Sequence, residues 1–180
     1  MKLNQLVFLD EFGAATNMTR PRARGPRGQR VVAKTPHGHW KVLSTIAAMT
    51  VDGMLTGCTF DAAIDTEMFV AFVESFLVPK LKQGQIVVLD NLPAHQSPRI
   101  DRLIESAGAT VLRLPPYSPD LNPIEMAISK MKALLRKLAR RGVSEVMDAI
   151  GQAMQSITTD DATNFIRHCG YAATNGRKML

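Results

Sequence analysis

Two short apolar runs, Leu6 to Leu9 and Ile86 to Leu89, restrict the possible folds of this chain more than any other feature. Four consecutive Val, Ile, Leu or Phe residues are too few for a buried helix. They read as central strands covered on both faces, the pattern of a layered α/β domain. Each run is followed at once by an aspartate, Asp10 and Asp90. If the two strands are neighbours running in the same direction, both carboxylates emerge at one edge of the sheet.

The rest of the chain supplies the other layers. Trp40 to Thr50 and Met54 to Phe60 flank Val51-Asp52-Gly53, whose Asp-Gly is a two-residue turn signal between β-compatible segments, and read as a hairpin with the first strand beside it. From Asp65 to Leu81, Met68, Phe69, Phe72, Val73, Phe76 and Leu77 recur at helical spacing, with Thr66 as the candidate cap. The run Ile86 to Leu89, a helix over about Ser97 to Ala107 and a strand from Thr110 to Leu114 then make a βαβ unit. A proline-rich loop, PPYSPDLNP, enters the longest helix, about Pro123 to Arg140. Helices over about Ser144 to Ile157 and Asp160 to His168 close the chain, with Gly170 as C-cap.

The expectation is an α/β fold, a mixed central sheet flanked by helices. At 180 residues, 46% of them hydrophobic, the chain suffices for one core rather than two. A single domain over 1–180 follows, its core at about 5–141 and a C-terminal helical extension at about 143–170.

Lys and Arg number 22 against 16 Asp and Glu, a net charge of +6, which suits a polyanionic partner. The N-terminus, MKLNQLVFLDEF, has neither a signal-peptide core nor the roughly 20 apolar residues of a membrane span. Cys58 and Cys169 lie far apart and offer no CxxC pair, which argues against a disulfide framework or a zinc knuckle. A soluble cytoplasmic protein with no membrane partner is expected.

A third acid, Glu125, opens the helix after the proline-rich loop. Mg²⁺ takes oxygen ligands, and two-metal phosphoryl chemistry needs several carboxylates converging on ions about 4 Å apart. Asp10, Asp90 and Glu125 form such a set if the fold gathers them. The residues also allow a plainer reading. A strand-terminal Asp commonly opens a turn, and Asn122-Pro123-Ile124-Glu125 matches a capping box, with Asn at the cap and Glu at the third helical position. Aspartyl-phosphate chemistry at Asp10 is a rival, but enzymes of that kind often repeat an acid two residues on, where this chain has Phe12.

Three blocks together resemble a known family: Val7-Phe8-Leu9-Asp10-Glu11, Val88-Leu89-Asp90-Asn91 with His95 nearby, and Leu114-Pro115-Pro116-Tyr117-Ser118-Pro119-Asp120-Leu121-Asn122-Pro123-Ile124-Glu125. They are similar to the DDE transposases of bacterial insertion sequences related to the mariner group, whose core is ribonuclease H-like. The 34 residues between Asp90 and Glu125 match that group's spacing, and the similarity covers roughly Leu6 to Arg141. The resemblance implies a metal-dependent endonuclease and strand transferase. Asp10, Asp90 and Glu125 would be its triad, with two Mg²⁺ or Mn²⁺ ions and with double-stranded DNA, transposon ends and a target at TA sites, as substrate. A homodimer on DNA and a bacterial, nucleoid-associated location belong to the same implication.

Two departures accompany it. Relatives carry an N-terminal helix-turn-helix region, for which nine residues before Asp10 leave no room. The chain would then be a catalytic fragment, the partner of a separate chain carrying that domain, or a decayed copy acting as a DNA-binding or oligomerising regulator. Relatives often place an aromatic residue after Glu125, where this chain has Met126-Ala127-Ile128. A nuclease of the same fold without strand transfer is a further alternative.

Arg20, Arg22, Arg24, Arg27 and Arg30 crowd a Pro/Gly-rich segment soon after Asp10, suited to phosphate contacts, with a solvated loop as the alternative. On the long helix Ile124, Ala127, Ile128, Met131, Leu134, Leu135 and Leu138 form an apolar stripe. Lys130, Arg136 and Lys137 are candidate DNA contacts on its other face, although cations late in a helix also complement its dipole. His95 and Asn91 are candidates for supporting contacts around the metals. His37 and His39 lack partners at zinc-ligand spacing and read as turn or DNA-backbone residues.

Overall fold

The computed structural model describes residues 2–92 and 95–171. Five strands, β1 (Leu6–Ala15), β2 (Val42–Thr50), β3 (Gly53–Phe60), β4 (Ile86–Leu89) and β5 (Thr110–Arg113), form one sheet in the order β3-β2-β1-β4-β5. The β1-β2-β3 meander is antiparallel, while β1, β4 and β5 run in parallel, joined by crossovers through helices. This is the mixed sheet expected from the pattern of apolar runs.

Alternation along β1 decides what the domain does with its two faces. Leu6, Phe8, Phe12 and Ala14 join the core under α3 (Pro123–Leu138), α4 (Val143–Gln155) and α5 (Thr159–His168). Val7 and Leu9 join the opposite core, with α1 (Thr66–Phe72) and α2 (Pro98–Ser106). Because successive side chains point to opposite faces, Asp10 falls on the α3 side and Glu11 on the α1–α2 side. One strand thus delivers a carboxylate to each layer.

Several local expectations shift. Within Val51-Asp52-Gly53 the hairpin turn is Val51-Asp52, and Gly53 already belongs to β3. Gly53 pairs with Thr50 and takes the positive φ of 120°, and Leu55 is left as an extra residue between paired Met54 and Thr56. A side chain at Gly53 would also meet the Ile157 carbonyl at 3.0 Å. The cap of α1 is Asp65, whose carboxylate accepts from the Met68 amide at 2.8 Å, rather than Thr66. After Phe72 the α1 helix widens into a π turn, Val73–Leu77, and then tightens into a 3-10 turn, Val78–Lys80. The π turn rotates the helical face, so Phe76 lies half-exposed, stacked on Phe72, instead of joining the core.

The α3 helix stops at Leu138, short of Arg140, because Ala139 adopts a left-handed conformation at φ 51°. The turn brings Arg141 back onto the chain beyond β1, where its guanidinium donates to the Thr16 and Met18 carbonyls at 3.0 and 2.9 Å. Among the described residues, no helix is long and apolar enough to cross a membrane.

Candidate active site

Register alone brings the first two acids together. Leu9 pairs with Leu89 across parallel β1 and β4, so Asp10 and Asp90 are the next residues on adjacent strands. The strands differ in length: β4 ends at Leu89, while β1 continues five residues past Asp10. Asp10 is therefore inside a strand, not at its end as a turn residue would be. Glu125 completes the set from the first turn of α3, and all three carboxylates line one cleft of about 390 Å³.

The capping box at Asn122 does not form. Asn122 is the N-cap residue of α3 by position, but its side chain makes no cap hydrogen bond, and only its backbone oxygen accepts from the Glu125 amide. The side-chain amide turns into the domain instead and donates through Nδ2 to Asp10 Oδ2 at 2.7 Å. This buried bond joins residues 112 positions apart. It fixes the start of α3, and with it Glu125, against β1. Asn122 Oδ1 is buried and has no partner among the described residues. Sequence reading placed Asn122 only as a cap, since no local pattern reports a contact of that range.

Asp10 is 5% exposed, and its Oδ1 accepts from the Glu11 amide at 2.7 Å. Burial, reinforced by the negative charges of Glu125 and Asp90, pushes its carboxyl up to about 7 despite that hydrogen bond and the His95 charge. Around Asp90 the balance reverses: burial opposes its charge, but His95 more than offsets this and holds the carboxyl below its ordinary value. His95 is wholly buried, with Nδ1 2.5 Å from Asp90 Oδ1 and its ring 4.1 Å from that of Phe69. Its Nε2 stands 3.2 Å from Glu11 Oε1, close enough for an ion pair but without the alignment of a hydrogen bond. Burial would lower the imidazole, yet the two carboxylates outweigh it and push it up to about 9. At neutral pH His95 is a cation clamped between Asp90 and Glu11.

Supporting contacts extend outward from His95. Arg113, the last residue of β5, donates to the His95 carbonyl at 3.0 Å and to Asp101 Oδ1 at 2.7 Å, pinning the loop after Asp90 to α2. The Tyr171 hydroxyl donates to the Leu121 carbonyl at 2.8 Å and so holds the proline-rich loop just before Asn122. Sequence patterns give Glu11, Arg113 and Tyr171 no functional role and Asn122 only that of a cap. Only Glu11 carried a local signal, being an acid next to Asp10 on a buried strand. Asn91 lines the cleft, but its side chain accepts from Gln96 at 3.0 Å and makes no hydrogen bond to Asp10, Asp90 or Glu125.

The basic residues divide into two groups. Arg20, Arg22, Arg24, Arg27 and Arg30 lie exposed in a segment without helix or strand that leaves β1 beyond Asp10. Among the described residues none of the five forms an ion pair. The Lys130 ammonium, on the exposed side of α3, is 2.5 Å from Asp161, tying α3 to α5 and drawing the Asp161 carboxyl down to about 2. Arg136 and Lys137 sit in the last turn of α3, roughly 18 Å from Glu125 at 1.5 Å per residue.

The donor set suits a hard divalent cation. Asp10, Asp90 and Glu125 offer only carboxylate oxygens, and Asp10 is destabilised by its like-charged neighbours in a way that a cation would relieve. Among the described residues no three acidic, histidine or cysteine side chains yet enclose a single point. Asp10 and Asp90 each commit one oxygen to Asn122 or His95, and Glu125 stands exposed across the cleft.

A mixed sheet ordered 3-2-1-4-5, flanked by helices and with an acidic cleft where adjacent parallel strands end, is an α/β fold of the ribonuclease H-like type. Residues 5–146 match the model of the DDE superfamily endonucleases, and the chain belongs to that family. Solved structures agree on the fold. The Mos1 transposase paired-end complex with left transposon end is matched with a TM-score of 0.76 at 17% identity, over 93% of this chain and 52% of the other. The Mos1 Strand Transfer Complex gives 0.72 at 17%, over 93% and 52%. The mariner Mos1 paired end complex with Mg gives 0.69 at 18%, over the same shares. The chain spans about half the length of these proteins. A comparison with curated proteins returned no match.

Proposed function

We propose that this chain is the catalytic domain of a mariner-related transposase, with Asp10, Asp90 and Glu125 as its metal-binding triad. The observation that carries the reading is the register of β1 and β4, which sets Asp10 beside Asp90 in a cleft that also holds Glu125, within a DDE endonuclease domain. Two Mg²⁺ or Mn²⁺ ions held by these carboxylates would supply an activated water or 3′-OH on one side of the phosphate and stabilise the leaving oxygen on the other.

The chain's own residues prepare that chemistry. Asp10 on β1 and Asp90 just after β4 provide ligand oxygens, and His95 orients Asp90 through its Nδ1 contact, as hydrogen-bond partners behind a metal ligand do. Asn122 holds Asp10 and the start of α3 at a fixed separation, so Glu125 approaches from a defined direction. The five arginines beyond β1 bind the phosphate backbone of DNA entering the cleft, while Arg136 and Lys137 reach only DNA that runs along α3. Double-stranded DNA as substrate, a homodimer on paired ends, insertion at TA steps, and end selection by a helix-turn-helix segment on a separate chain extend the same reading.

Joining separates a transposase from a plain nuclease. Incubated with Mn²⁺, a target plasmid and a pre-cut duplex taken from the DNA flanking its gene, the chain is expected to yield covalently joined product detected on a denaturing gel. Nicked plasmid without joining would make it a nuclease. DNA binding without cleavage in either metal would favour a regulator.

A further inference from the structure

Tyr117 is the most exposed large hydrophobic side chain among the described residues, at 103%, and it occupies a backbone conformation that side chains disfavour, with φ 55°. Among the described residues none covers its ring. Its place is nevertheless heavily constrained. Pro115 and Pro116 precede it, Ser118 Oγ donates back to the Pro116 carbonyl at 3.3 Å, and Pro119 opens a 3-10 turn whose Leu121 carbonyl is held by Tyr171. Such strain persists where the surroundings over-determine it, and it gathers at ligand sites.

The location gives the ring a use. Tyr117 and Leu92 are both exposed large apolar residues lining the cleft that holds Asp10, Asp90 and Glu125. Carboxylates on the strands and α3 thus meet flat or bulky apolar groups within one cleft. A phosphate brought to the carboxylates by divalent cations carries its nucleotide past these groups, and an aromatic face is what a base stacks on. Bases within a duplex are already stacked on both sides, so only an unpaired or extruded base has a face to offer. An acidic peptide would be repelled by the three carboxylates, whereas the net charge of +6 favours a polyanion.

We propose that Tyr117 is a stacking platform for an unpaired nucleobase adjacent to the phosphate held in the carboxylate cleft. The inference rests on the nuclease reading of that cleft and adds that the substrate is locally unpaired when engaged. Tyr117 is a binding residue in this account, since its ring touches the substrate without taking part in bond exchange.

The test uses a forked DNA duplex carrying 2-aminopurine in its unpaired arm, with Ca²⁺ to permit binding without cleavage. Stacking quenches the fluorescence of this base. Wild type and Tyr117→Phe are expected to quench it equally. Tyr117→Ala is expected to lose the quenching and bind the fork roughly 5- to 100-fold more weakly, while its affinity for a fully paired duplex is unchanged. Quenching by Tyr117→Ala equal to wild type, or equal weakening on forked and paired DNA, overturns the proposal. Mn²⁺-dependent plasmid nicking by the same wild-type preparation separates the two readings. Nicking without Tyr117-dependent quenching removes the platform and leaves the nuclease reading intact, whereas absence of nicking sinks the nuclease reading and this inference with it.

Discussion

Asp90→Asn is expected to lower Mn²⁺-dependent nicking of supercoiled plasmid by at least about 10³-fold, roughly 4 kcal/mol of lost transition-state stabilisation at 1.36 kcal/mol per decade. The substitution is chosen because it preserves shape. An amide oxygen at position 90 still accepts from the Leu92 amide and from His95, as the carboxylate does now, so the loop keeps its anchors. What disappears is the negative charge that a divalent cation requires. Far-UV circular dichroism should match wild type, and a binding isotherm for Mn²⁺ should weaken in parallel with nicking. Equal nicking by wild type and variant would show that the activity does not belong to this cleft.

Asp10→Asn should act in the opposite direction on stability. The Asp10 carboxyl has an ordinary value of 3.8 and is pushed up to about 7 in the folded protein. Between those values the native state binds more protons than the unfolded chain, so this group's contribution to stability is complete below pH 4 and falls as pH rises to 7. Three pH units amount to a ceiling on the order of 4 kcal/mol. A neutral side chain at position 10 escapes that penalty. Without metal at pH 8, Asp10→Asn is expected to melt roughly 5–15 °C above wild type, a gap that closes towards pH 4. Mn²⁺ should reverse the order, because only the wild type gains a bound ion. A variant less stable than wild type in metal-free buffer at pH 8 would contradict the account of Asp10 as a strained ligand. The same burial that costs stability in the empty site makes the carboxylate a strong cation ligand.

How much of this was visible in the sequence varied with the range of the interaction. The layered fold was legible, because continuous apolar runs, a turn signal and helical periodicity are local properties that tertiary packing here reinforced. Asp10 and Asp90 were legible as candidates because each follows such a run, but their adjacency depended on strand order, which the runs do not encode. An error of one residue arose where two residues of similar capping chemistry stand side by side, as with Asp65 and Thr66. The π turn after Phe72 was hidden because a wider turn leaves the apolar spacing almost unchanged.

The supporting residues escaped for a different reason. Asn122 fits an N-cap pattern so well that its true partner, Asp10, had no local competitor to reveal it. Lys130 lies on the polar face of α3 like any solvated lysine, and only the docking of α5 supplies Asp161. Arg113 and Tyr171 bond to backbone carbonyls, which have no sequence identity to recognise. His95 was noted for its closeness to Asp90, yet its clamp also needs Glu11 from β1, an acid delivered to that layer by strand alternation.

The central claim is that Asp10, Asp90 and Glu125 hold two divalent ions in one cleft, and anomalous diffraction from crystals soaked in Mn²⁺ tests it most directly. The account predicts two anomalous peaks roughly 4 Å apart, bounded by the three carboxylates and lost in Asp90→Asn. An empty cleft at saturating Mn²⁺, or peaks held by other residues, would contradict it.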